Sequence, residues 1–230
     1  MRKKHIEYES KEENAFALST GDLMAGLLFI FILLLMGALL QVQKKAERDE
    51  EIVKRYDQIK TQLYIDLEKE FKDELKVWNA VIDSTNLSIR FQEPSTLFAY
   101  DQAILQTKFQ EILKDFFPRY LKLISSKQYK DNIEEIRIEG HTDSQGSYEY
   151  NMKLSQDRTR SVLSFCLLMV PPAEKEWTIA RITANGLSSS HLIYNVDGTE
   201  NQSLSRRVEF RIRTNAEKQL EEIAAKRFND

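Results

Sequence analysis

Apolar and polar residues fall into three regimes along the chain. From Leu23 to Leu40 it reads LMAGLLFIFILLLMGALL, eighteen residues without a charge or a strong hydrogen-bonding side chain. Such a helix is about 27 Å long, close to the hydrocarbon thickness of a bilayer, so a single membrane-spanning helix is expected over 16–42. A secretory signal peptide is the rival, since Arg2, Lys3 and Lys4 precede the run. Signal cores are shorter, however, and Gln41-Val-Gln-Lys-Lys45 offers no small-x-small cleavage site. Basic residues flank both ends (Lys11 before, Lys44, Lys45 and Arg48 after), so loop charge does not orient the helix.

The second regime, 43–85, is charged and has no Pro or Gly. Apolar residues recur in steps of three and four at Ile52, Tyr56, Ile59, Leu63, Leu67, Phe71, Leu75 and Trp78. This is the stripe of an amphipathic helix, too briefly heptad-like for a long coiled coil. It is expected to be a stalk that pairs with its copy or packs on the following domain; a gating plug is the alternative. After Asn86 the period changes again. Leu87–Phe91, Ile136–Ile138, Trp177–Ala184 and Arg207–Arg213 read as strands, while Ile104–Ile124 and Asn151–Met169 read as helices. Alternating strands and helices predict an α/β (α+β) domain over 86–214, helices packed on one face of a mixed sheet. Residues 215–230 read as a charged terminal helix and 1–15 as a short tail.

Composition narrows the function. Thirty-three Lys+Arg against 36 Asp+Glu leave a net charge of -3, without the basic surplus of a nucleic-acid binder. Cys166 is the sole cysteine and His5, His141 and His191 are scattered, which excludes an intrachain disulfide and argues against a metal centre. No nucleophile–base pair stands out, so an enzyme is not expected. His141 is expected to brace backbone and Cys166 to fill core space.

Two places carry chemistry. Asp22 is the only charge between Ala15 and Val42. Either Ser19, Thr20 or Asp22 caps a helix beginning at Leu23, or the helix begins near Phe16 and Asp22 lies inside it, where an acid is costly and marks an ion path. The segment STGDLMAGLLFIFILLLM resembles the membrane helix of ion-driven motor B subunits, the flagellar stator MotB and its relatives, in which Asp22 falls on the essential acid. The second place is Gly140-His-Thr-Asp143 at a strand end, Gly146 in a turn, and Asn151-Met-Lys-Leu-Ser155-Gln-Asp-Arg158 opening a helix. With Ser155 as N-cap, Arg158 falls in the first turn, where a cation opposes the helix dipole and calls for an anionic partner. Asp143 can be that partner, in a loop-bracing ion pair, or share a ligand with Arg158.

IRIEGHTDSQGSYEYNMKLSQDRTRSVLSF and SRRVEFRI resemble the OmpA-like peptidoglycan-binding domain. The resemblance implies that Asp143 and Arg158 hold the diaminopimelate of the wall peptide, with Thr142, Asn151 and Arg206 lining the same groove. The sequence departs from that family at Ser205, usually Asn, and in Asn185–His191, which lacks a second Gly and a Pro. The motor resemblance implies a homodimer within a ring of MotA-like A subunits, roughly five A to two B, in the bacterial inner membrane. Asp22 would pass H⁺ or Na⁺, with no other cofactor, from the periplasmic side of the domain to the cytoplasmic N-terminus. The compact, mixed-charge N-terminus resembles the B subunits of the Zorya anti-phage defence system more than flagellar ones. A motility stator and a passive membrane-tethered wall anchor are the alternatives.

Overall fold

The computed structural model describes residues 2–92, 97–99, 101–215 and 217, with side chains from Thr20 onward. The expected terminal helix beyond Asn215 falls outside these residues, apart from Glu217. Two compact units emerge, residues 1–51 and 52–230. In the first, helix α1 (Arg2–Phe71) already runs through 2–51. Asp22 therefore lies inside a helix, and the capping role is excluded. From Leu23 to Val42 the large apolar side chains stand exposed, as a lipid-facing segment requires, and the helix is long and apolar enough to cross a membrane.

In the second unit the stripe of the charged region closes on the domain. Leu63, Leu67 and Phe71 are fully buried and Trp78 nearly so; of the two expected stalk roles, packing on the following domain is the one seen. The helix stops at Phe71 rather than continuing to about residue 84. A turn over 72–79 ends with Asn79 at φ 51°, and strand β1 (Ala80–Asp83) follows, pairing antiparallel with β2 (Ser88–Phe91). The even-spaced apolar stripe hides this strand, which has only four residues.

Helix α2 (Thr107–Ile124), strand β3 (Ile133–His141), helix α3 (Tyr148–Leu167), helix α4 (Pro172–Ile179), strand β4 (Ile182–Gly186), the short helix α5 (Gln202–Ser205) and strand β5 (Arg207–Thr214) complete the domain. The five strands lie in the order β1-β2-β5-β3-β4; β3 and β4 are parallel, joined through α3 and α4, and the other pairs are antiparallel. The strand expected at Trp177–Ala184 begins only at Ile182. Pro172, whose fixed φ suits a first helical position, and Glu174 in the first turn start a helix over 172–179.

One face of the sheet is apolar. Ile89, Phe91, Ile136, Ile138, Val208, Phe210 and Ile212 meet α2 and the end of α1 in a single core. Phe116 centres its aromatic cluster, with ring centroids 5.0 Å from those of Phe91, Tyr120 and Phe210. Cys166 is a buried core residue whose thiol pKa burial pushes up. Helix α3 comes unusually close to β3 and β4 at two glycines paired in register, Gly140 and Gly186. A Cβ on Gly140 would meet Thr159 Cγ2 at 2.6 Å, and one on Gly186 would meet the Gln156 backbone nitrogen at 2.4 Å. The opposite face carries the charges. Buried Glu209 accepts from Ser88 Oγ (2.8 Å), Arg90 Nε (3.0 Å) and Arg207 Nε (2.6 Å).

Candidate functional site

The C-terminal end of β3 delivers the Gly140-His-Thr-Asp motif to the start of α3. That helix begins earlier than the pattern predicts. Ser147, not Ser155, is the N-cap, its hydroxyl accepting from Tyr150 N at 3.2 Å. Ser155 is buried within the helix; its hydroxyl donates to Met152 O and accepts from Ser188 N. Arg158 consequently sits in the third turn, clear of the positive end of the helix dipole.

A groove of about 640 Å³ opens between this helix start, the residues Phe98, Ala99 and Asp101, and α5. Asp143, Arg158, Thr142, Asn151 and Arg206 all line it, together with Phe98, Asp101, Gln145 and Tyr150. All five expected groove residues thus meet at one place. Of the two roles open to Asp143, the direct ion pair with Arg158 does not form. Asp143 is instead joined to Arg206, and its other carboxylate oxygen accepts from Gln145 N at 3.1 Å. Arg158 lies over the Phe98 ring, 4.9 Å from its centroid, and donates from Nε to Gln102 O at 2.9 Å. Among the described residues it makes no ion pair. Burial draws its pKa below the usual guanidinium value, opposed by the Asp101 carboxylate.

The remaining residues shape the loop between the strand and the helix. Asn151, which is buried, donates its amide to Gln145 O (2.8 Å) and Asp143 O (3.4 Å), holding the turn that presents the carboxylate. Glu200 accepts from Ser144 N at 3.0 Å and from the Ser144 hydroxyl, tying the same turn to the segment before α5. Thr142 lines the groove, but its hydroxyl oxygen is shielded from solvent and has no partner among the described residues. His141 does not brace backbone as expected. Neither ring nitrogen has a hydrogen-bond partner among the described residues, and burial, with Arg207 beside it, pushes its pKa down to about 3. It is a neutral ring packed behind the groove.

Both departures noted in the sequence are structurally satisfied. Ser205 accepts from Ile193 N at 2.9 Å and so pins the preceding loop. In the loop lacking a second glycine, Ser188 takes the left-handed conformation (φ 52°). Its hydroxyl donates to Tyr148 O and its carbonyl accepts from Thr142 N, which offsets the steric penalty. The pattern did not reveal Phe98, Asp101 or Gln102. They lie in a short stretch without periodicity, and Gln102 is 56 positions from the arginine that it contacts.

Known proteins share this fold and sequence. The OmpA family matches residues 97–206, the segment that builds the groove. A MotB-like protein of Desulfovibrio vulgaris shares the fold at a TM-score of 0.50 and 22% identity, over 73% of this chain and 99% of that one. Zorya protein ZorB of Escherichia coli O139:H28 is 30% identical over 87% of this chain and 80% of its own length. ZorB of Escherichia coli strain Crooks is 38% identical over 221 residues, covering 92% of this chain and 93% of that protein. Similarity that runs from the membrane segment through the OmpA-like domain covers both units, and the chain belongs to the ZorB family.

Proposed function

We propose that this chain is the wall-anchored B subunit of an ion-driven motor in the bacterial inner membrane, acting in Zorya-type anti-phage defence. The observation that carries the reading is the groove, which is lined both by an acid, Asp143, and by a guanidinium, Arg158, that makes no ion pair among the described residues. Diaminopimelate ends in an α-amine and a carboxylate. Asp143 would take the ammonium, and Arg158 would grip the carboxylate with a bidentate fork, adding direction to charge. Thr142 lines the same groove, while Asn151 and Arg206 hold the acid in place. Membership in the ZorB family and a wall-binding fold together favour a stator-like subunit over a free enzyme.

The other half of the machine is α1. Two copies of the helix, enclosed by a ring of A subunits of the ZorA type, would let each Asp22 take up H⁺ or Na⁺ from the periplasmic side and release it inward. One charge crossing 100 mV supplies about 2.3 kcal/mol, sufficient to bias a conformational step. With the domain held to the wall, the ring turns rather than the dimer. The N-terminus would then be cytoplasmic and the OmpA-like domain periplasmic. Envelope damage by phage would alter this grip and signal inward to effectors.

Co-sedimentation of the detergent-purified full chain with peptidoglycan sacculi tests the anchor. Wild type is expected in the pellet and Asp143→Asn or Arg158→Gln in the supernatant, each with unchanged melting. Equal sedimentation of all three contradicts the groove as the wall site.

A further inference from the structure

We propose that Phe98 and Gln102 together position Arg158, and that Phe98 fixes the edge of the guanidinium that a ligand meets. The inference rests on the wall-binding reading above and assigns the specificity of that groove to a residue outside its charged pair. An arginine on a helix flank has a long, rotatable side chain, and ordering it on binding opposes affinity. Here two contacts remove that freedom beforehand. The Phe98 face sets the plane of the guanidinium, at 4.9 Å from ring centroid to Cζ, and the Gln102 carbonyl holds Nε at 2.9 Å, which sets its roll. With Nε engaged, only the edge bearing the two terminal nitrogens is left for the groove, and these carry no hydrogen bond among the described residues. A planar carboxylate fits that edge with two parallel hydrogen bonds; a carboxamide offers one acceptor and a repelling NH₂.

The turn is built to hold this geometry. Phe98 is only 4% exposed, bridges to Leu105 across the turn, and sets its ring 6.2 Å from that of Phe109 on α2. Gln106 N donates to Leu97 O, and Gln102 N to Ala99 O, closing the loop on itself. Asp101 adopts φ 58°, a left-handed backbone that side-chain-bearing residues rarely take. Its carboxylate lines the groove and favours the charged state of Arg158 against the opposing effect of burial. Phe98 is thus a positioning residue that acts through Arg158. A residue that merely fills the core would, when replaced, weaken all ligands alike; one that orients a fork changes the choice between acid and amide.

Titration calorimetry of the full chain in detergent with meso-diaminopimelate and its monocarboxamide reads that choice. Wild type is expected to prefer the free acid by at least about tenfold. Phe98→Leu and Phe98→Met, which keep apolar volume but lose the ring face, should cut the preference to about twofold, and Phe98→Tyr should retain it. If the Leu and Met variants bind both ligands more weakly in equal proportion, Phe98 is a packing residue and the proposal fails. If wild type binds neither ligand, the wall-binding reading fails and this inference with it. Should the Leu and Met variants not fold, the Arg158 Nε–H resonance of the wild-type chain decides. A ring-current shift with slowed solvent exchange supports the stack, and the shift of a free, solvated arginine overturns it.

Discussion

The membrane segment and the α/β domain treat charge in opposite ways. Between Ala15 and Val42 the chain keeps one acid, Asp22, exposed on a helix whose described side chains give it no ion pair. In the domain the buried charges are compensated: Glu209 by Arg90 and Arg207, Asp143 by Arg206. A compensated charge makes structure. An uncompensated one in an apolar stretch is an unfinished interaction, to be completed by an ion or a partner. The groove lies between these extremes, with Asp143 engaged and Arg158 positioned but without an ion pair among the described residues. That asymmetry is what a ligand with one positive and one negative end can use.

Breaking the compensation should give the largest effect. Glu209→Gln leaves the buried Arg207 without its anion and strips Arg90 of one of its two carboxylates, Asp83 being the other, and is expected to cost about 3–5 kcal/mol, read by denaturant unfolding. Acid attacks the same network. Burial raises the Glu209 pKa, but the neighbouring Arg90 and Arg207 guanidiniums together outweigh it and hold the carboxyl at about 2, well below its ordinary value. Its stabilising effect is complete above the unfolded carboxylate pKa and is lost as pH falls toward 2. His141, depressed to about 3, adds to the same slope, because its unfolded form takes a proton as pH drops below about 6.5. Unfolding measured from pH 7 to 2 should show a steady decline, shallower in His141→Gln between pH 6.5 and 3.

A smaller effect is expected where α3 presses on the sheet. Gly186→Ala places a methyl 2.4 Å from a backbone nitrogen and should destabilise the domain by about 2–3 kcal/mol, with wall binding falling as the groove shifts. Arg158→Lys keeps the charge but loses the fork. Affinity for sacculi should fall by about 1.5–3 kcal/mol while the melting temperature stays put. The smallest expected effect tests the helix start. Ser147→Ala removes the cap of α3 and should cost about 1 kcal/mol, measured by thermal unfolding.

How much of this was legible depended on whether a residue's partner lay in its own period. Strand β5 and helix α2 announce themselves because Val208, Phe210 and Ile212, or Phe109, Ile112 and Phe116, repeat with the geometry of one element. Strand β1 was hidden, because four residues after an amphipathic helix extend the same apolar count. Trp177 and Ile179 mimic alternation, yet the prolines before them start a helix. The groove was readable as a set of residues through its resemblance to a known domain, but its wiring was not. Asp143 pairs with Arg206, 63 positions away, and Arg158 with Gln102, 56 away. Such contacts are set by the topology of the sheet, and no local spacing encodes them.

On the proposed function, the solitary acid of α1 carries ions while the OmpA-like domain grips the wall. Plating phage on cells that carry the complete defence system with Asp22→Asn tests it most directly, with membrane levels of the protein and sacculus binding measured alongside. Protection is expected to disappear while protein level and wall binding match wild type. Full protection by Asp22→Asn at normal protein level would contradict it and leave a passive anchor.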